Sequence, residues 1–187
     1  MIKQVAVIGT GMMGPGIAML AARAGYPTCL IGRTEASVNR GLAAADGAVR
    51  EMCAHGILSS EDVECIKEHL TGKTDLAEGV GDADFVIESI VEDLAIKQEL
   101  FAKLDRLCPP EAILATNTSG LSPTRIGSAT RRPDRVVATH FWNPPHLVPL
   151  VEVGRGEETS QETVEAACHL MERMQKKPVV VQKDILG

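Results

Sequence analysis

A glycine hexapeptide near the amino terminus constrains the fold more than any other feature of this sequence. The apolar run of residues 4–8 leads directly into a complete G-x-G-x-x-G pattern, and residues 13–24 then carry apolar side chains at helical spacing. In such a strand, turn and helix, the first glycine permits a tight turn, the second lets backbone approach a pyrophosphate, and the third lets the helix pack closely on the strand. The pattern therefore predicts a dinucleotide-binding turn, with an ordinary tight turn as the alternative. Its predicted cofactor-binding residues are Gly9, Gly11, Met12, Met13 and Gly14.

The rest of the sequence alternates short apolar segments with longer amphipathic ones. Strands are predicted at residues 28–31, 70–74, 83–89, 112–116, 135–141, 147–153 and 179–181. Helices are predicted at residues 94–107, 122–129 and 160–174, and within 35–69 as a pair whose second member is capped by Ser60. This alternation predicts an α/β fold with a Rossmann-like, doubly wound, mostly parallel sheet and a two-helix insertion after the second strand.

Composition and charge narrow the classes of function. Hydrophobic residues make up 44% and charged residues 24% of the 187 residues, as in globular proteins and unlike disordered or fibrous chains. No apolar run is long enough to span a bilayer and no signal peptide is visible, so we expect a cytoplasmic protein with no membrane partner. The net charge of −6 argues against nucleic acid as a partner. The five cysteines form no C-x-x-C pair, so neither disulfides nor a metal site is expected.

The end of the second predicted strand bears on the choice of cofactor. NAD-binding proteins usually carry an acidic residue there for the ribose hydroxyls, whereas this sequence has Gly32 followed by Arg33 and Thr34. A glycine leaves room for a 2′-phosphate, and an arginine can hold that phosphate through two hydrogen bonds. The cofactor is therefore predicted to be NAD(P), leaning to NADP; an ordinary solvated loop cation is the alternative for Arg33.

Candidate catalytic residues follow two later strands. Ser119 lies just beyond one strand end, His140 and Asn143 lie at the next, and Glu152 occupies an apolar segment shortly afterwards. Ligands of open α/β sheets gather at the carboxyl ends of strands, which places these residues on the side of the glycine turn. Hydride leaves a secondary alcohol only as its proton is removed, and a histidine partnered by a carboxylate is a natural acceptor. Hydroxyl and amide groups could hold the developing carbonyl oxygen.

Structural roles remain open for the same residues. His140 could be a hydrogen-bonded core histidine, Glu152 a surface residue of an edge strand, and Ser119 the N-cap of the short helix near residue 122.

Together the motifs resemble those of the L-3-hydroxyacyl-CoA dehydrogenase family, in its N-terminal domain. The matching blocks occur in the family's order: Val7 to Gly14, Glu88-Ser89-Ile90-Val91-Glu92, Thr116-Asn117-Thr118-Ser119, His140-Phe141-Trp142-Asn143-Pro144 and Leu150 to Val153. The resemblance implies an oxidoreductase of fatty-acid metabolism that transfers hydride between a nicotinamide cofactor and the 3-hydroxyl of an L-3-hydroxyacyl-CoA. By the same resemblance His140 is the general base and Glu152 orients it. Ser119 and Asn143 then bind the substrate oxygen or the nicotinamide end, and Glu92 and Lys97 line the cofactor pocket.

The sequence departs from that family in features that bear on the substrate. Aligned on Gly41, the positions of the family's CoA-contacting Ser and Lys fall on Ala45 and Met52. The alternatives are therefore the same chemistry on a non-CoA 3-hydroxy acid or small alcohol, or a dinucleotide-binding relative without catalysis. In the family the sequence continues beyond Gly187 into a helical dimerisation domain. We therefore expect residues 1–187 to be the NAD(P)-binding and catalytic domain of a protein that is a homodimer when full length.

Overall fold

One eight-stranded sheet organises the computed structural model, which describes residues 2–184. Strand order across the sheet is β3-β2-β1-β4-β5-β6-β7-β8. The strands are β1 (Val5–Ile8), β2 (Thr28–Ile31), β3 (Leu70–Lys73), β4 (Phe85–Glu88), β5 (Ile113–Thr116), β6 (Val136–Phe141), β7 (Leu150–Arg155) and β8 (Lys177–Val181). Neighbouring strands are parallel except β6 and β7, which run antiparallel. The fold is the Rossmann-like α/β architecture predicted from the sequence.

Within residues 2–184, seven α-helices cover the sheet. They are α1 (Gly14–Arg23), α2 (Glu35–Ala54), α3 (Ser60–His69), α4 (Leu76–Val80), α5 (Leu94–Leu107), α6 (Pro123–Gly127) and α7 (Gln161–Arg173). The pair α2 and α3 forms the predicted insertion between β2 and β3. The short α4 was not predicted, and the N-cap of α3 is Ser59 rather than Ser60, because the Ser59 side chain accepts from the Asp62 backbone N–H.

The hydrophobic core lies in two layers, one on each face of the sheet. Alternate residues of a strand point to opposite faces, so Val5 and Val7 pack with α1, α2 and α7, whereas Ala6 and Ile8 pack with α5 and α6. Both faces of the central strands are therefore buried, which explains why these strands are almost continuously apolar.

Within residues 2–184, no helix has the length and apolar character needed to cross a membrane. The expected continuation of the sequence past Gly187 concerns residues outside the described part of the chain.

Candidate functional site

The glycine turn joins the carboxyl end of β1 to α1, and its three glycines have different surroundings. Gly9 has a φ of +115°, and a Cβ there would lie 2.2 Å from the Ser89 carbonyl oxygen. A Cβ on Gly14 would lie 1.8 Å from the Gly9 carbonyl oxygen, so only glycine allows the helix to begin this close to the strand. Around Gly11, by contrast, a Cβ would meet no atom within 4 Å. The turn thus presents bare backbone to open space at its second glycine.

The amino terminus of α1 differs from those of the other six α-helices in the described chain. Each of those six begins with a side chain that accepts a hydrogen bond from a backbone N–H three residues later; the caps are Thr34, Ser59, Asp75, Asp93, Ser122 and Ser160. Helix α1 has Met13 at this position and no side-chain cap. Its first N–H groups are left for another acceptor, and with the helix dipole they suit the phosphates of a dinucleotide.

Next to this turn, the end of β2 is packed more tightly than the sequence suggested. A Cβ on Gly32 would lie 2.7 Å from Ser37 Oγ and 2.8 Å from a methyl group of Thr10. Side-chain atoms therefore surround Gly32 closely, and this packing gives no support to the expectation that the glycine leaves room for a 2′-phosphate. Arg33 is exposed, and the Thr34 hydroxyl accepts from the Ser37 backbone N–H as the cap of α2. The end of β2 therefore gives no structural support to the prediction of NADP.

His140 and Glu152 form a hydrogen-bonded pair across two antiparallel strands. The register of β6 and β7 sets His140 directly opposite Glu152, so the two side chains share one face of the sheet. His140 Nδ1 lies 2.8 Å from Glu152 Oε2, and the imidazole stacks at a tilt on Trp142 with 5.4 Å between ring centroids. Both side chains are partly exposed. The structure thus brings together the two residues that the sequence nominated as base and orienter.

This pairing defines which ring nitrogen is available for proton transfer. An ionised Glu152 accepts from Nδ1–H, which leaves the Nε2 lone pair of a neutral imidazole free. No described residue of 2–184 hydrogen-bonds to Nε2. The pair can therefore take a proton from a hydroxyl and stabilise the imidazolium that results.

A cleft of ≈ 200 Å³ opens beside the pair. Ser119 lines it together with His140 and Glu152, and its lining also includes Arg155 and Lys183. Asn143 is exposed on the loop of residues 142–149 that joins β6 to β7, and it is not among the residues of the cleft. Three of the four predicted catalytic residues therefore share one opening, and the fourth lies on a neighbouring loop.

Glu92 and Lys97 belong to a polar network under the ends of β4 and β5. Lys97 is 1% exposed, and its Nζ lies 2.6 Å from Glu88 Oε1 and 3.3 Å from Glu92 Oε2. Glu92 Oε1 accepts from the Thr118 hydroxyl and from the backbone N–H groups of Ser119 and Gly120. Partial burial opposes ionisation of Glu92, but the Thr118 hydroxyl, the Lys97 charge and the backbone donors together lower its pKa below the ordinary value. The network holds the segment that carries Ser119.

Two residues of this region were not recognised as important in the sequence. Glu88 is completely buried and receives hydrogen bonds from the Thr116 hydroxyl and the Ile90 backbone N–H in addition to Lys97. Asn117 accepts from the Phe141 backbone N–H at 2.8 Å and so ties the end of β5 to the end of β6, next to His140. One sign of each residue was present in the sequence: Glu88 is a charged residue at the end of an apolar strand, and Asn117 is an amide directly after another.

The two positions aligned with CoA-contacting residues lie in the core. Ala45 and Met52 are 1% and 2% exposed, and both belong to the core layer that packs on one face of the sheet. Neither side chain offers a polar atom to a ligand.

Comparison with known proteins identifies relatives that match nearly the whole length of this chain. A profile of the family described as "3-hydroxyacyl-CoA dehydrogenase, NAD binding domain" matches residues 4–185. A 3-hydroxybutyryl-CoA dehydrogenase of Clostridioides difficile is 39% identical over 180 residues, which cover 96% of this chain and 64% of that protein. The crystal structure of 3-hydroxybutyryl-CoA dehydrogenase from Escherichia coli K12 superposes with a TM-score of 0.93 at 36% identity, covering 98% of this chain and 39% of that one.

A further solved structure is described as an NAD⁺-dependent dismutase, the 5-dehydrogenase of 5-formyl-3-hydroxy-2-methylpyridine 4-carboxylic acid. It superposes with a TM-score of 0.90 at 34% identity, covering 100% of this chain and 60% of that one. The chain thus spans less than two thirds of each of these three relatives. The match confirms the family indicated by the sequence motifs. The family description supports a nicotinamide dinucleotide as cofactor and gives no support to a preference for NADP.

Proposed function

Because this chain belongs to the family of 3-hydroxyacyl-CoA dehydrogenase NAD-binding domains, we propose that it carries out hydride transfer between NAD and the 3-hydroxyl of an L-3-hydroxyacyl-CoA. The observation that carries the proposal is the 2.8 Å pairing of His140 with Glu152 at the edge of the sheet where the glycine turn ends β1. A protein that only binds a dinucleotide has no need of this pair, so its presence favours an enzyme over a non-catalytic relative.

In the proposed reaction the residues of this chain manage the proton and the oxygen. The nicotinamide ring, when bound, supplies the hydride acceptor or donor. His140 Nε2 takes the hydroxyl proton, and Glu152 stabilises the imidazolium through Nδ1. Ser119 and Asn143 donate hydrogen bonds to the oxygen that becomes a carbonyl or to the nicotinamide end. Glu92, together with the buried Lys97 behind it, keeps the Ser119 segment in place.

Acetoacetyl-CoA and free acetoacetate separate the substrate classes in one assay. With NADH as reductant, we expect the CoA ester to be reduced much faster than the free acid when the protein is assayed at its full length. Oxidation of NADH by neither compound would argue for a binding protein without this activity.

A 3-hydroxy acid or other small alcohol not carried on CoA is the second candidate. It is favoured by Ala45 and Met52, which are apolar and buried at the two positions of α2 where the family resemblance places polar contacts with CoA. Free acetoacetate reduced as fast as its CoA ester would establish this alternative.

For the cofactor we propose NAD, with Arg33 beside the adenosine ribose. Parallel calorimetric titrations with NADH and NADPH test this choice. Tighter binding of NADPH, lost in Arg33→Ala, would restore the preference for NADP that the end of β2 suggested in the sequence.

The remaining expectations concern the full-length protein. We propose that residues 1–187 are its catalytic domain, that a helical domain pairs it as a homodimer, and that it acts in the cytoplasm. Light scattering of the full-length chain measures its mass in solution. A monomeric mass would contradict the proposed homodimer.

A further inference from the structure

Lys176 is a buried cation with no carboxylate within ion-pair distance in the described chain, residues 2–184. It lies between α7 and β8 and is 7% exposed. Its Nζ donates to the main-chain carbonyl oxygens of Pro145 and, at 3.0 Å, of Val148. Burial, with the nearby charge of Arg23, lowers the pKa of Lys176 to about 8. A buried ammonium group is unfavourable unless its N–H groups are hydrogen-bonded, so these two carbonyls account for its presence.

Both carbonyls belong to the loop of residues 142–149 that carries Asn143. Within this loop the backbone N–H groups of Leu147 and Val148 both donate to the Pro144 carbonyl oxygen, at 3.1 and 3.0 Å. The loop also touches the helix of the glycine turn, because a Cβ on Gly16 would lie 2.7 Å from Pro145 Cγ. Lys176 therefore joins three elements: the start of β8, the Asn143 loop and, through Pro145, the first turn of α1.

Two other polar attachments of the loop involve its centre and its end. His146 Nε2 is 3.3 Å from Glu51 Oε2, which is half exposed, and the backbone N–H of Lys177 donates to the Pro149 carbonyl oxygen at 2.8 Å. Trp142 and Asn143 themselves are exposed. Lys176 differs from these attachments because its ammonium group is buried and binds the loop backbone at two points, Pro145 and Val148.

We propose that Lys176 is a positioning residue: through Pro145 and Val148 it fixes the 142–149 loop so that Asn143 stays at the nicotinamide end of the bound dinucleotide. This inference rests on the proposed function, since Asn143 has a ligand only there. Lys176 acts through the backbone of the loop and not on the reacting atoms.

The only tryptophan of the chain, Trp142, makes this loop directly observable. Acrylamide quenching of its fluorescence is compared in the wild type, in Lys176→Met, which keeps the length but loses the donors, and in Lys177→Met, the exposed neighbour, as a matched control. We expect stronger quenching in Lys176→Met alone. This readout requires neither cofactor nor substrate.

Calorimetry with NADH and with ADP-ribose then tests the effect on the site. Loss of one positioned hydrogen bond costs on the order of tenfold in affinity. We therefore expect NADH to bind Lys176→Met about tenfold more weakly, whereas ADP-ribose, which lacks nicotinamide and uses the glycine turn, binds it as it binds the wild type.

Several results would overturn the proposal. Unchanged quenching, or equal weakening of NADH and ADP-ribose, would show that Lys176 does not act on the loop specifically. If Lys176→Met does not fold, Lys176→Gln, which retains an amide donor, is measured in the same way. Failure of both to fold beside a native Lys177→Met would assign Lys176 to global stability instead. Wild-type protein that binds neither NADH nor ADP-ribose would contradict the proposed function, while the quenching comparison would still decide whether Lys176 holds the loop.

Discussion

The dinucleotide turn and the His140–Glu152 pair lie at the same edge of the sheet but are built in opposite ways. The turn consists of six consecutive residues and presents backbone, and its geometry depends on the absence of side-chain atoms at Gly9 and Gly14. The pair joins residues 12 positions apart on antiparallel strands, and polar side chains from other segments support it. Added side-chain atoms should therefore disrupt the glycine turn, whereas the loss of particular polar groups should disrupt the His140–Glu152 pair.

The largest expected effect comes from removing the imidazole. His140→Ala in the full-length protein should lower turnover by about 10²- to 10⁴-fold, the usual contribution of a general base, while NADH affinity stays unchanged because the turn is intact. Steady-state kinetics and calorimetry measure the two quantities. His169→Ala, on the exposed face of α7, is the control. Turnover within about tenfold of wild type would end the assignment of His140 as base.

Removing Lys97 should have the next largest effect, this time on stability. Lys97→Met leaves the fully buried Glu88 carboxylate without its cation, and breaking a buried ion pair in this way costs about 3–5 kcal/mol. Urea denaturation followed by circular dichroism gives the free energy of unfolding. Lys103→Met, which breaks the exposed pair with Glu99, should cost far less, because water already solvates both groups. Equal losses in the two variants would mean that the Glu88 pair is not buried as described.

A matched pair of glycine variants separates packing from ligand binding within the turn. Gly14→Ala forces a Cβ against the Gly9 carbonyl oxygen and should lower the free energy of unfolding by about 1–3 kcal/mol. Gly11→Ala meets no protein atom and should keep wild-type stability, yet bind NADH about tenfold more weakly because its methyl group occupies the approach of the pyrophosphate. Undiminished NADH affinity in Gly11→Ala would place the dinucleotide elsewhere.

The smallest expected effect is a dependence on pH at Glu92. Its folded-state pKa is lowered, so the carboxylate stabilises the fold above its ordinary pKa of 4.5, and this stabilisation is lost as the pH falls through the folded-state value. Glu92→Gln should therefore be less stable than wild type at pH 7, by less than about 1 kcal/mol because the side chain is 44% exposed, and the difference should vanish in acid. Thermal unfolding between pH 3 and pH 7 measures it, with exposed Glu158→Gln as control. A difference that persists in acid would contradict the ion pair and the loop contacts.

The same contrast explains what could be predicted from the sequence. The turn is encoded in consecutive residues, so its strand, glycines and helix were predicted nearly to their bounds, and α5 was predicted with its observed ends. Where two adjacent residues could both cap a helix, the sequence did not distinguish them. Ser59 rather than Ser60 caps α3, because Asp62 completes the capping box with Ser59. Helix α4 is only five residues long and contains Gly79, so its periodicity is too short to detect.

The supporting groups of the catalytic region depend on topology. His140 and Glu152 were predicted as partners, but only the antiparallel register of β6 and β7 places them opposite each other. The Glu88–Lys97 pair could be predicted only by knowing that the end of β4 lies next to the start of α5. The contacts of Lys176 could be predicted only by knowing that its ammonium group meets the 142–149 loop. The close packing of Gly32 could not be predicted, because the fold brings its neighbours Thr10 and Ser37 there.

The uncapped start of α1 links cofactor binding to the folding equilibrium. A Ser or Asp cap contributes about 1 kcal/mol to helix stability, and α1 forgoes this contribution while the other six α-helices of the described chain retain it. A phosphate group that accepts the same N–H groups supplies the missing cap, and by mass action a ligand that binds only the folded state stabilises it by RT ln(1 + [L]/Kd). The first helical turn should therefore fray more often in the free protein, and amide exchange at Gly14, Gly16 and Ile17 should slow in proportion to the fraction of sites that are occupied.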